Sequence, residues 1–346
     1  MFYLRPITRR RLNRFLAMKR GWYSFLILST FTLFSLFASL FIGSRALAVK
    51  TEHGLRFPVY GEPIPGKEFG LSYGYETDYK QLKAEVDKSG KGFVLMPIVP
   101  WGPNDMDYDS STDFPPLKPS ARHWLGTDSL GRDILARLVY GFRESMKFAV
   151  MVVIIAYLIG IVIGCLSGYF GKWIDMLTQR LQEIWSSMPV LFLIIIISSM
   201  WSPGLFGLAF INAAFAWMGL ATTMRALTMK EKQREYVAAA RALGAGTGRI
   251  IFVHILPNTL SVMISYLPFM IAGGISALTA LDFLGYGLQP PTPSWGDLMD
   301  QGLENLESPW ILSSVVISLF LVLTLIAFIG EAVREAYDPK RHSTYE

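Results

Sequence analysis

The chain has a single cysteine, Cys165, in 346 residues. One thiol forms no intramolecular disulfide, which excludes a disulfide-stapled scaffold and a metal site built on paired cysteines. Histidine is almost as scarce: His53, His123, His254 and His342 stand far apart, a poor start for a zinc centre. No metal or other cofactor is expected in this chain. Charge is sparse as well. Asp, Glu, Lys and Arg make up 17% of the residues, against about 25% in an ordinary soluble domain. Apolar residues take their place, at 52%, with 23 Phe and 30 Gly and a mean hydropathy of +0.36. Disordered and collagen-like classes are excluded, and the composition is that of a membrane protein. A net charge of +5 and a pI near 9.1 would by themselves admit a nucleic-acid binder. The long uncharged runs argue against that, and no nucleic-acid partner is expected.

Those runs give a membrane map, because a hydrocarbon core of ~30 Å needs about 20 helical residues. Trp22–Gly43 and Phe148–Gly171 are uncharged. Ile184–Met224 runs 41 residues without charge, about twice one span, and Ser202-Pro203-Gly204 is a turn signal that divides it near 186–201 and 206–224. Ile255–Leu281 and Ser308–Gly330 complete six expected spans. The expected fold is an all-α polytopic membrane protein of six transmembrane helices with an external loop insert. Its segments are a basic cytoplasmic tail 1–21, a first span 22–43, an insert 44–121, an amphipathic lead-in helix 122–146, a core 147–330 and a tail 331–346.

Orientation follows from Lys and Arg in short loops. The tail 1–21 holds seven and no acid, and 225–254 holds six, whereas 282–309 holds none and five acids. Both termini, the 172–183 loop and the 225–254 loop are therefore expected in the cytoplasm, with the insert and 282–309 outside. A basic tail also suits contact with anionic membrane lipid. A cleaved signal peptide ending at Ala46-Leu-Ala48 is the competing reading of the N-terminus. The apolar run is longer than a signal core of ~7–15 residues, which favours an uncleaved span.

The insert is a different material. It is rich in Pro, Tyr and Phe, with one helix expected over Thr77–Lys88, Thr77 as its N-cap and Gly90 as its stop, and loop and short strand elsewhere. It reads either as a tethered loop or as a docking surface for an external binding protein. Gly61-Glu-Pro-Ile-Pro-Gly66-Lys67-Glu68 imitates the start of a nucleotide P-loop. Pro63 and Pro65 have no N–H to offer phosphate, and Glu68 would repel it. Farther on, Asp128 or Ser129 can cap a helix whose apolar stripe is Leu130, Ile134, Leu138, Phe142 and Met146. Arg132, Asp133, Arg137, Arg143 and Glu144 take its other face.

Between spans four and five, Glu235–Leu243 is a strong helix former with consecutive alanines at Ala238, Ala239 and Ala240. Gly244 suits the left-handed residue that ends such a helix. Arg249–Leu256 reads as a second helix and Pro257 as the start of span five. The unit is a compact knob whose alanines let another protein approach closely, while Glu235 and Arg241 can fix the angle. A DNA-binding helix–turn–helix has a similar local pattern, but here both ends are tied to spans. Within the spans, Asn212, Ser276 and Thr279 are polar, and Gly273-Gly274 permits close helix approach. These are pathway candidates, with helix–helix hydrogen bonding as the plainer reading.

Glu235, Ala239, Gly244 and Leu256-Pro257 resemble the E-A-A loop of ABC-importer permease subunits. His123-Trp-Leu-Gly126-Thr127-Asp128-Ser-Leu-Gly131-Arg132-Asp133 is similar to the signature of dipeptide and oligopeptide permeases. So are Leu281-Asp-Phe-Leu-Gly285-Tyr-Gly-Leu-Gln289-Pro290-Pro-Thr-Pro-Ser-Trp295-Gly296 and Gly330-Glu-Ala-Val-Arg-Glu-Ala-Tyr-Asp-Pro-Lys-Arg341. The insert is longer than in ordinary dipeptide permeases and resembles the subtype that imports oligopeptides and the peptide-nucleotide microcin C. The resemblance implies a type I ABC importer permease in the bacterial inner membrane. It also implies as partners a homologous second permease, two ATPase domains or subunits that use ATP and Mg²⁺, a periplasmic peptide-binding protein and a peptide cargo. Glu235, Ala238, Ala239, Arg241, Gly244, Arg249, Leu256 and Pro257 would then transmit force to the ATPase rather than catalyse. A secondary transporter would show intramembrane charge for ion coupling, and an enzyme built on the insert would need a catalytic cluster that the insert lacks.

Overall fold

The computed structural model describes residues 6–337 except 52–53, 91 and 108–113. The family-like ending at Asp338–Arg341 and His53 lie outside the described residues. Four helices are long and apolar enough to cross a membrane, and a bent pair can make a fifth span.

The chain opens with α1 (Pro6–Ala17) and α2 (Lys19–Leu36). The expected first span at 22–43 is shorter as a helix: α2 stops at Leu36 and a 3-10 turn follows at Ala38–Leu40. Lys19 and Arg20 at its start keep α2 off the set of apolar spans. Next comes the insert, which is not all-α. Strands β1 (Ala48–Thr51), β2 (Gly54–Arg56) and β3 (Phe93–Leu95) form an antiparallel sheet in the order β2-β1-β3. Helix α3 (Tyr79–Ser89) packs on it. The helix begins later than expected, because Asp78 and not Thr77 caps it. The Asp78 carboxylate accepts from the Lys80 and Gln81 N–H groups, while the Thr77 hydroxyl donates to the Ile64 carbonyl. Gly90 ends it at φ +66° as expected. Val49, Leu82, Val86 and Val94 give the insert a core of its own.

The amphipathic helix expected at 122–146 is not a separate element. Asp133 caps α4 (Ile134–Phe170), which runs 37 residues without a break. Its central and C-terminal part lies against α7 (Leu205–Lys232). Gly160, Gly164 and Gly168 make that approach possible. A Cβ on each would come within 2.8 Å of Leu220 Cβ, 2.6 Å of the Ala221 carbonyl and 2.6 Å of the Arg225 carbonyl. This is small-residue packing at i, i+4 and i+8, which brings two backbones together where lipid supplies no hydrophobic drive.

The expected 172–183 loop is helical. It forms α5 (Lys172–Ser186), bent by 68° from the short α6 (Val190–Met200). Between α6 and α7 the chain turns at the expected Ser202-Pro203-Gly204. Helix α8 (Glu235–Ala242) follows, then a continuous helix α9 (Thr247–Phe283). The second knob helix expected at 249–256 is thus the start of α9, wound as a π-helix over Ile250–Ile255. Pro257 explains the widened turn, because it lacks the N–H for a regular bond and crowds the carbonyl one turn back. Two more helices finish the described chain, α10 (Trp295–Glu304) and α11 (Pro309–Tyr337). The core is apolar along α4. Cys165, Trp217, Met224, Val237, Ile250 and Ile255 fill one end, and Ile134, Phe142, Trp295, Leu298 and Ile311 the other.

Candidate functional site

The knob at 235–249 has two unlike faces. Val237 and Ala240 are buried, and Val237 packs into the cluster of Cys165, Met224, Ile250 and Ile251. Glu235, Ala238, Ala239, Arg241, Gly244 and Arg249 are exposed. So is Leu243, at 89%, the most bared large side chain near the knob. The local sequence dictates this. Val237 and Ala240 are three apart and turn one side of α8 inward, and the alanines next to them leave the other side low. Gly244 adopts φ +80°, which ends the helix and lets the Ala245 N–H reach the Ala240 carbonyl at 3.0 Å.

The knob is braced at its base. The Tyr236 hydroxyl donates to Glu231 at 2.8 Å and accepts from the Asn258 amide at 3.2 Å. Partial burial, aided by the Glu231 contact, pushes the Tyr236 phenol above its ordinary pKa, so it stays a donor. Arg241 reaches toward the Tyr169 hydroxyl at 3.5 Å, and Lys232 donates to the Tyr169 carbonyl at 2.5 Å. Tyr169 sits at the C-terminal end of α4. One turn away, Asp175 of α5 takes the guanidinium of Arg225 and the Ser167 hydroxyl, tying α4, α5 and α7 together. The contact of α8 with Tyr169 thus reaches the end at which α4, α5 and α7 are joined. Leu256, half-buried, and Pro257, exposed, lie within α9 just after its π-wound turn.

The other family-like residues gather at the opposite end of α4. Asp128 is fully buried; it accepts from the Leu130 and Arg132 N–H groups and pairs with the Arg132 guanidinium at 2.7 Å. Arg137, 1% exposed, lies 3.5 Å from Asp128 and donates to Asp297 of α10 at 2.7 Å. Asp133 caps α4 through the Ala136 N–H and holds His123 Nδ1 at 2.8 Å, while His123 Nε2 meets Asp107 at 3.1 Å. The Thr127 hydroxyl accepts from the Leu117 N–H, and its carbonyl accepts from Trp310. Gly126 and Gly131 turn at positive φ against the Leu117 and Asp107 carbonyls. Trp295 is buried and donates to the Leu138 carbonyl at 2.9 Å. Gly296 lies so close to α9 that a Cβ would fall 2.3 Å from the Thr279 carbonyl. Gly285 turns out of α9 at φ +77°, and Gln289 and Pro290 are exposed. On the charged face, Arg143 and Glu144 are half-buried and pair with each other, while Arg132, Asp133 and Arg137 belong to a buried ion network. The sequence reading missed His123, Asp107 and Asp297 in it. Its one visible sign was that Asp128, Arg132, Asp133 and Arg137 recur within ten residues.

The pathway candidates do not converge. Gly273 and Ser276 are exposed on α9, while Gly274 packs on Ala149 and the buried Thr279 hydroxyl donates to its own helix at Ile275. Asn212 is half-buried on α7.

Residues 160–343 match the family described as binding-protein-dependent transport system inner membrane component. Over 97% of its length the chain is 35% identical to the peptidoglycan transport system permease protein YejE of Agrobacterium fabrum, covering 94% of that protein. It is 36% identical to the inner membrane ABC transporter permease protein YejE of Escherichia coli, covering 99% of each chain. To the oligopeptide transport system permease protein OppC of Mycobacterium bovis it is 34% identical over 72% of its length, covering 86% of that protein. Among solved structures, a chain of the inward-facing MetNI methionine ABC transporter superposes with a TM-score of 0.50 at 17% identity, over 59% of this chain and 98% of that one.

Proposed function

The chain belongs to the binding-protein-dependent transport system inner membrane component family, and we propose that it is one of two permease subunits of an ATP-driven peptide importer. In this reading α2 serves as the first span and the bent pair α5–α6 as one more. With α4, α7, α9 and α11 that makes six. Both termini and the knob face the cytoplasm, in line with the seven basic residues of the tail and the six of 225–254. A homologous second permease completes the pathway. A periplasmic binding protein delivers the cargo, and separate ATPase subunits use ATP and Mg²⁺. This chain itself carries out no chemistry.

The observation that carries the reading is the knob. Its inner side is locked into the helical core, and its outer side bares Leu243 among alanines. A low, rigid protrusion of this kind transmits a push, since the alanines admit a close partner and the Tyr169, Tyr236 and Asn258 contacts resist tilting. For cargo, the names of the relatives speak of oligopeptide and peptidoglycan transport, and both cargoes carry short peptides. Oligopeptides are the class proposed, with microcin C-like conjugates as a narrower possibility within it.

The test is uptake of a labelled tripeptide into proteoliposomes holding the two permeases, the ATPases and the binding protein. Uptake that needs ATP and ignores an ionophore supports the importer. Uptake driven by an ion gradient alone contradicts it. Gly244→Pro, which cannot adopt φ +80°, is expected to insert normally and to abolish uptake. Wild-type uptake in that variant would remove the knob from the mechanism.

A further inference from the structure

The insert contains a cleft of about 390 Å³ at the start of α3, lined by Arg45, Glu76, Tyr79, Lys80, Trp101 and Asp105 among others. That volume is at the small end of the ~300–1,000 Å³ typical of ligand pockets. Neither the importer reading nor the family-like motifs use it.

Its chemistry is divided. Arg45 and Lys80 bring positive charge; Glu76 and Asp105 bring negative charge. The Arg45 guanidinium donates to Glu76 at 2.7 Å and retains donors beyond that bond. Lys80 has no hydrogen-bond acceptor or ion-pair partner among the described residues. Its ammonium instead sits 2.9 Å from the centre of the Trp101 ring. Burial pushes the Lys80 pKa down to about 8, against the upward pull of the nearby carboxylates of Asp105, Asp78 and Asp107. Tyr79 is 2% exposed, and its hydroxyl has no hydrogen-bond partner within bonding geometry among the described residues. A buried hydroxyl without a partner costs stability unless something that fills the site supplies one.

A purely anionic ligand would meet Glu76 and Asp105, and a purely cationic one would meet Lys80 and Arg45. A ligand with a charge of each sign at its two ends meets both demands. We propose that this cleft binds a short zwitterionic peptide, its carboxylate toward Lys80 and Arg45 and its ammonium toward Glu76 and Asp105. Trp101 forms the floor. The His123 ring packs against Trp101, tilted by 39° with centroids 4.5 Å apart, and is held by Asp133, the cap of α4. An occupant therefore stands two side chains from the start of α4.

The proposal takes from the importer reading only the choice of a peptide as probe. The test is equilibrium binding of tritiated Ala-Ala-Ala to the full-length chain in nanodiscs, without partners or ATP. Saturable binding is expected, weakened at least tenfold by Lys80→Met and by Asp105→Asn and largely restored by Lys80→Arg. N-acetyl-trialanine amide, which lacks both terminal charges, is expected to compete at least tenfold more weakly. No saturable binding, equal competition by the blocked peptide, or unchanged binding in Lys80→Met would each overturn the site. Leu243→Asp at the knob separates the two readings, since it is expected to keep this binding while uptake fails.

Discussion

The two ends of α4 solve opposite problems. About 36 residues, or ~54 Å at 1.5 Å per residue, separate its cap Asp133 from Tyr169. At the first end, charges are buried and paired: Asp128 with Arg132, Arg137 with Asp297, and His123 between Asp107 and Asp133. At the second, charged residues of the knob are exposed and its tip is an apolar side chain in the open. A buried network holds one geometry because breaking any member strands another. An exposed face costs little to change and waits for a partner. The first end thus holds the insert and α10 on the helix, and the second leaves an apolar side chain in the open, the end that is pushed under the proposed function.

Replacing a buried member should therefore do the most damage. Asp128→Leu strands Arg132 and loosens Arg137, and is expected to cost about 3–5 kcal/mol, read as a large drop in the thermal midpoint in detergent. A small drop would mean that the network is wetter than its burial implies. Next comes the spacer between the ends. Gly164→Leu forces α4 from α7 and should cost about 1–3 kcal/mol by overpacking, again by melting. At the knob, Leu243→Asp should change stability by no more than ~0.5 kcal/mol yet release the ATPase on co-purification. A comparable loss of stability would erase the contrast between the ends.

The smallest effect belongs to Lys80. Methyl-labelled lysine resonances should include one with a midpoint near 8, against ~10.4 for free lysine. Because the folded-state pKa is depressed, folding expels a proton between those values. The insert should therefore gain stability as pH rises from about 8 toward 10.4, and carry the full penalty below 8. Asp105→Asn removes an upward pull and should move the midpoint lower still. An ordinary midpoint would show that the Lys80 ammonium is solvated.

What could be seen in the sequence follows a physical line. Four of the uncharged runs marked the helices long and apolar enough to cross a membrane, because a bilayer forbids charge over a fixed length. The knob was visible because Glu235–Ala242 and Gly244 carry their own helix and stop signals. The ends of elements were less visible. Nothing in 122–146 says that α4 runs on through the membrane, since an amphipathic start and an apolar continuation are both good helix. The buried network was hidden for a related reason. Arg132, Asp133 and Arg137 read only as the polar face of a helix, because Asp297 pairs with the arginines and His123 and Asp107 join Asp133 from positions the helical period does not reveal. The sheet of the insert was blurred by strands of only three or four residues, too short for alternation to register. Among the pathway candidates, Thr279 satisfies its hydroxyl on the Ile275 carbonyl one turn back, the plainer of its two readings.

The contrast between the ends is tested most directly by one measurement: tripeptide uptake by the reconstituted importer carrying Leu243→Asp, alongside its thermal midpoint and the ATPase retained. A folded, inserted permease that has lost the ATPase and imports nothing is the predicted result. Wild-type uptake with the ATPase still bound would contradict the assignment of the knob as the surface through which the helices are driven.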